Sequence, residues 1–369
     1  MELKYVEDHT IFECIVGSHA YGTHTPESDY DKAGVMIPGK EYFYGIKRFE
    51  QFNDYPGEDK IIYGFRKIVN LIAENNPNCL DLLCIPEHCI LNIKPEWREI
   101  MDNAHLFISK KCKHTYSGYA ISQINRLKTH RGYLLNPPKS EPHREDFGLS
   151  QSPIFETAQL KGLVNVASLF DYVDASYRET FVNQLDTIYA EQVVPLFNKY
   201  LNPDRRTIAL DFLQTALSSQ LNTLSALGKN GYIKDEYAEM AEKELQYANA
   251  FRDWQRYREW KKSRNKKRAE LEEKFGFDCK FAMHALRLLR MGREILLTGK
   301  VNVDRTGIDA EELNEIRNGA WPYEKVEEYA HNMDQELGAL YDGSALQRAP
   351  QIEKIDQLCI SIIDRYLER

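Results

Sequence analysis

The chain has 369 residues, of which 43% are hydrophobic and 28% charged, with a formal net charge of −8. This is globular composition with length enough for a large core and two domains; no apolar run approaches the roughly 18 residues of a membrane span, and the acidic start MELKYVEDHT lacks signal-peptide order. The negative balance excludes a protein that coats nucleic acid over its whole surface, and seven cysteines without a CxxC pair suit free thiols in a reducing cytoplasm.

Residues 10 to about 65 carry strand-like runs, IFECIV (11–16), AGVMI (33–37) and KIIYGF (60–65), separated by Gly and Pro. Helical periodicity follows at Phe65, Ile68, Val69 and Ile72 and stops at Asn75-Asn76-Pro77. The short apolar run Leu80 to Ile85 fits either a strand or a helix. From about residue 110 nearly everything reads as helix, interrupted by the proline-rich NPPKSEPHREDFGLSQSP (136–153), a long loop that is either ordered or disordered. The expected architecture is α+β: a small mixed-sheet domain over residues 1–108, then an all-helical domain over 109–369.

One stretch at the strand edges concentrates chemistry: GSHAYGTHTPESDYDKAGV, residues 17 to 35. Gly17-Ser18 follows a strand, where a glycine lets phosphate oxygens approach the backbone N–H groups and the Ser hydroxyl. Ten residues on come Asp29 and Asp31, just before the next strand. Alternate strand residues share a face, which sets these two Cα atoms roughly 6.6 Å apart. Two carboxylates at about that spacing repel by roughly 3 kcal/mol at an effective dielectric near 20, a repulsion that a divalent cation relieves. A phosphate cradle beside metal carboxylates supplies the parts of phosphoryl or nucleotidyl transfer.

Gly17-Ser18 followed by Asp29-Tyr30-Asp31 resembles the signature of the DNA-polymerase-β-like nucleotidyltransferase superfamily. The full stretch, with NPNCLDLL (76–83), YAISQINR (119–126) and FDCKFAMHALRLLRMGREILLTGKV (277–301), is similar to a bacterial and phage branch that includes an RNA-ligase-associated group. That resemblance spans most of the chain and implies a third carboxylate on a neighbouring strand. Asp59 fits best; Glu58 is the rival that a one-residue register shift would substitute, and Asp54 a weaker one. It further implies that Gly17, Ser18 and Ser28 hold a nucleoside triphosphate. Asp29, Asp31 and Asp59 would then be the catalytic and metal-binding carboxylates for Mg²⁺ or Mn²⁺.

Downstream, Lys280, His284 and Arg287 fall at i, i+4 and i+7 on one helical face and are read as nucleotide contacts, against the alternative of a solvated face or one paired with a carboxylate from another helix; Asp278 opens that helix as an N-cap. Tyr119, Gln123, Arg126 and His130 align similarly, a face suited to a base or ribose or to simple packing. The segment 252–274 interleaves Trp254, Tyr257 and Trp260 with cations. Arg256, Trp260, Lys261, Lys262, Arg264, Lys266, Lys267 and Arg268 form its candidate nucleic-acid surface, against the alternative of a solvated basic helix. Cys79, Cys84, His88 and Cys89 lack zinc-site spacing and read as buried thiols. The expected activity is metal-dependent transfer of a nucleoside monophosphate from an NTP to a hydroxyl acceptor with release of pyrophosphate. An RNA end is the first choice of acceptor, a protein hydroxyl the second and a small molecule the third. A nucleotide- or RNA-binding module without turnover is the alternative from another class.

Overall fold

The computed structural model describes residues 2–151, 235–264 and 266–369, leaving out the side chains of residues 235–238, 241, 266–268 and 271. In chain order come α1 (Leu3–His9), β1 (Thr10–Ile15), β2 (Lys32–Met36), β3 (Gln51–Phe52), β4 (Lys60–Gly64), α2 (Phe65–Ala73), α3 (Pro77–Leu80), β5 (Ile90–Ile93), α4 (Pro95–Asp102) and α5 (Cys112–Leu135). After the undescribed residues follow α6 (Asp235–Ser263), α7 (Lys266–Phe275), α8 (Cys279–Thr298), α9 (Ala310–Arg317), α10 (Tyr323–Gly343) and α11 (Ile352–Leu367). The fold is α+β: a small mixed five-stranded sheet, then a large helical region.

The sheet order is β3-β4-β2-β1-β5; β2 and β4 run parallel and the other pairs antiparallel. β2 is central and reads Lys-Ala-Gly-Val-Met, buried after its first residue, as expected of a strand covered on both faces. The three expected strands form, each within a residue or two of its apolar run. The edge strands β3 and β5, neither of them expected from the sequence, carry exposed or half-buried residues; β3 has only two residues and β5 is the four-residue run Ile-Leu-Asn-Ile. α2 buries Phe65, Ile68, Val69 and Ile72 on one face. It stops where Asn75 takes a left-handed φ of 55° and its side chain donates to the carbonyls of Ile72 and Phe107. The ambiguous run 80–85 becomes the end of α3 and a 3₁₀ turn, Asp81–Leu83.

Packing divides the chain into two compact units, Met1–Leu135 with Asn265–Arg369, and Asn136–Arg264. They do not follow the expected division at 108/109. The reason is physical: α8, buried over most of its surface, shares one apolar core with α5 and with the strands. Gly292 of α8 lets the helices close up, since a Cβ there would sit 3.0 Å from the Tyr116 Cβ of α5. Within the second unit, α6 meets the loop after α5 through an ion pair between Arg144 and Glu244. That loop is itself ordered by a 3₁₀ turn, Arg144–Phe147, in which Asp146 accepts from the His143 N–H at 2.8 Å.

Candidate active site

The turn after β1 builds the first half of the site. Gly17 has φ +69°, and the chain coils so that Tyr21 N–H donates to the Gly17 carbonyl and Thr23 N–H to the Ser18 carbonyl. Among the described residues, the N–H groups of Gly17, Ser18, His19 and Ala20 donate to no protein acceptor. Successive free N–H groups of this kind form a concavity for an anion. The turn is held from far along the chain: Arg305 N–H donates to the Tyr21 carbonyl at 3.1 Å and Arg317 to the Thr23 carbonyl at 3.0 Å. Downstream of it, the ring of His19 stacks between those of His24 and Tyr30, at 4.5 and 4.0 Å. The Ser28 hydroxyl accepts from the Thr25 N–H at 2.9 Å, so it is engaged in its own turn.

The carboxylates gather across the parallel strands. Lys32 pairs with Lys60 in register and donates its N–H to the Asp59 carbonyl at 2.8 Å, which places Asp31 and Asp59 side by side at the strand starts. Their carboxyl groups lie within hydrogen-bonding reach. Burial pushes the Asp31 carboxyl above its ordinary value, the charge of Asp59 adds to this, and Lys280 opposes it; Asp29 contributes least. Asp31 also packs onto the turn after β1: a Cβ on Gly17 would lie 2.5 Å from its Oδ2. The rival Glu58 points away, ion-paired with Lys32 at 2.9 Å, and that hydrogen bond holds its carboxyl below the usual range. Asp54 lies exposed in the β3–β4 loop. The expectation that Asp29 and Asp31 pair on one strand face gives way to an Asp31–Asp59 pair, because β2 begins only at Lys32 and Asp29 stays in the exposed loop before it.

The helices supply the opposite wall. Asp278 caps α8 as expected, accepting from Phe281 N–H at 3.1 Å. From α8, His284 and Arg287 line a cavity of about 400 Å³ that also touches Gly17, Ala33, Ile61 and Tyr63. Alternation along β2 and β4 puts Ala33, Ile61 and Tyr63 on the sheet face that carries Asp31 and Asp59. Two members of the α5 face, Tyr119 and Gln123, line the same cavity. The other two do not: Arg126 lies over the Phe281 ring and His130 stacks with Tyr133. Sequence reasoning missed Tyr21, Asn78 and Asp81, which also face this space. NPNCLDLL stands out as a stretch, but nothing in its spacing singles out Asn78 or Asp81.

The basic-aromatic helix α6 belongs to the second unit. There Arg258 lies over Trp254, Lys261 over Tyr257 and Arg264 over Trp260, at 4.9, 5.9 and 4.6 Å from the ring centroids. Arg256 pairs with Asp253 at 3.7 Å, both exposed, and Lys262 is exposed. The side chains of Lys266, Lys267 and Arg268 lie outside the described residues. Among the described residues, no group of three or more His, Cys, Asp or Glu side chains is placed to hold a metal ion unaided. Cys79 and Cys89 are buried, and burial pushes the Cys79 thiol up to about 12. No helix among the described residues is long and apolar enough to cross a membrane.

The turn, the facing aspartates and the strands that carry them all lie in the first 64 residues, and there the chain is similar to known proteins. Residues 2–134 match the model of the RNA repair pathway DNA polymerase beta family. The match ends within a residue of Leu135, where the first segment of the first unit ends, and it contains 76–83 and 119–126. The stretch 277–301, with Lys280, His284 and Arg287, falls outside it. The chain is also 28% identical over 129 residues to an uncharacterised 38.9 kDa protein of the nrdC–mobD intergenic region of Enterobacteria phage T4. That alignment covers 32% of this chain and 38% of the phage protein's length. No solved structure matches.

Proposed function

We propose that the chain is a metal-dependent nucleotidyltransferase that moves a nucleoside monophosphate from an NTP to a hydroxyl, with an RNA end as acceptor. The observation that carries this reading is the Asp31–Asp59 carboxyl pair set against the Gly17 turn with Lys280 opposite. Two carboxyls held this close need a proton or a cation between them. A hard cation bound by one or two carboxylates is completed by substrate phosphates, so the donor set fits Mg²⁺ or Mn²⁺ held by Asp31 and Asp59 with Asp29 beside them. Such an ion would neutralise charge on the phosphates and on the departing pyrophosphate.

The residues themselves divide the remaining work. The free N–H groups of the 17–20 turn and Lys280 bind the triphosphate and orient its α-phosphorus. The acceptor oxygen forms a bond to that phosphorus as the bond to the β-phosphate oxygen breaks. Asp59, the more exposed of the pair, takes the acceptor's proton. RNA as acceptor is supported by the RNA-repair description of the matching family and by the cation-covered aromatics of α6. A reducing cytoplasm is supported by seven free cysteines.

The test offers each α-³²P-labelled NTP with Mg²⁺ or Mn²⁺, total RNA and protein extract, beside the Asp31→Ala protein. Label in RNA that disappears in the variant is the expected result. Label in protein moves the acceptor to a side-chain hydroxyl. NTP binding with no label anywhere overturns the transferase reading in favour of a binding module.

A further inference from the structure

The cavity behind the aspartates has a floor that the transfer chemistry leaves unexplained. Arg287 is 4% exposed, and its guanidinium lies over the Tyr21 ring, 3.5 Å from the centroid. Its Nη1 donates to the Met291 thioether at 3.1 Å, and its Nε donates to nothing among the described residues. Asp81, 3% exposed, accepts from the Tyr21 hydroxyl at 2.6 Å through Oδ2 and has no partner at Oδ1. Both residues line the cavity, as does Gln123, whose buried Oε1 is also unpartnered. Buried polar groups left in this state cost stability unless something else completes them.

The unpartnered atoms select the completing ligand. A phosphate brought to this floor could accept from the Arg287 Nε but would leave the Asp81 Oδ1 and the Gln123 Oε1 without a donor. A neutral planar ring with a donor beside an acceptor on one edge satisfies Arg287 and Asp81 at once. The walls suit such a ring: Tyr63, Tyr119 and Phe281 are aromatic, and Leu82, Ile85 and Leu288 are aliphatic. Depth agrees, because Arg287 is seven residues beyond Lys280 on α8, a rise of about 10 Å. A ribose bridges that gap between a phosphate at Lys280 and a ring at Arg287.

We propose that this cavity is the nucleobase pocket of the NTP, with Asp81 and Arg287 as the residues that choose the base. The inference rests on the nucleotidyltransferase reading and adds a coupling to it. Tyr21 belongs to the phosphate turn and touches both selecting residues, so a base that fits the floor steadies the backbone that binds its own triphosphate.

The experiment is calorimetric titration of the full chain with Mg²⁺ and ATP, GTP, CTP, UTP or inorganic triphosphate. Wild type is compared with Asp81→Asn, Arg287→Gln and the less buried Gln123→Leu, each first checked by thermal melting. Wild type is expected to hold its preferred NTP about tenfold or more above its least favoured one and above inorganic triphosphate, the size of one good hydrogen-bonded base contact. In the variants that ratio collapses, while in Gln123→Leu the affinity for inorganic triphosphate stays within about twofold of wild type. If Asp81→Asn fails to fold, the Gln123→Leu ratio decides. Selectivity unchanged in the folded variants, or inorganic triphosphate bound as tightly as every NTP, overturns the pocket while leaving the phosphate site standing. Absence of binding by NTPs and triphosphate alike overturns both.

Discussion

Replacing Gly17 by Ala perturbs the site at one atom. The native φ of +69° is a left-handed conformation, which disfavours an L side chain by about 1–2 kcal/mol. The added Cβ also meets Asp31 Oδ2 at 2.5 Å, so the carboxylate must retreat by about 0.5 Å to reach 3.0 Å and about 0.9 Å to reach ordinary contact at 3.4 Å. A displacement near 1 Å of a group that positions reacting atoms lowers turnover by about 10²-fold. Gly276→Ala is the matched control, since Gly276 has φ +78° with nothing within 4 Å of its would-be Cβ. Both variants are expected to melt a few °C below wild type. Pyrophosphate release should fall about a hundredfold in Gly17→Ala and stay near wild type in Gly276→Ala. Wild-type turnover in Gly17→Ala, or equal losses in the two variants, would refute the claim that the turn and the aspartate are packed against each other for function.

Asp31→Asn should abolish transfer and yet stabilise the metal-free protein. Its carboxyl is raised by burial and by Asp59, so the folded chain binds that proton more tightly than the unfolded chain. Wild-type stability therefore falls as pH climbs from the ordinary carboxylate range through the raised value. Urea midpoints in chelator should draw together at low pH, with the variant ahead toward neutrality; a variant that loses ground as pH rises would sink this. Asp59→Asn should remove label transfer, whereas Glu58→Gln should keep it, because Glu58 faces Lys32 on the other side; the reverse result would mean the strand register is off by one. Arg305→Met leaves Glu294, which the buried guanidinium holds at 2.7 Å, without its cation, and Asp309, held at the same distance, with Arg290 alone. A loss of about 3–5 kcal/mol in urea unfolding is expected, and a change under about 1 kcal/mol would show that the network relaxes into solvent.

The sequence made the head of the fold readable because its strands are apolar runs ended by Gly and Pro, and because α2 repeats its buried face at Phe65, Ile68, Val69 and Ile72. Gly17-Ser18 and Asp29-x-Asp31 stood out through order and spacing within a single segment. What spacing leaves open is pairing between segments. Asp59 and Glu58 are equally near in sequence, and only the parallel register of Lys32 with Lys60 turns Asp59 toward Asp31. Lys280, His284 and Arg287 were legible as a helical stripe, but the depth of Arg287 depends on α5 packing over α8. Asp81 was illegible for the same reason, being one carboxylate in a short apolar run whose partner Tyr21 is sixty residues away.

The two arginines that hold the turn after β1 set a timetable on the ribosome. Tyr21 and Thr23 are made early, but the groups that fix their carbonyls belong to Arg305 and Arg317, beyond the second unit. At about 5–20 residues per second, the 129 residues of Asn136–Arg264 alone occupy the ribosome for roughly ten seconds before the rest of the first unit begins to emerge. Until then the nascent chain has the turn without its fastenings, and the candidate site is completed only after Arg305 and Arg317 have been made.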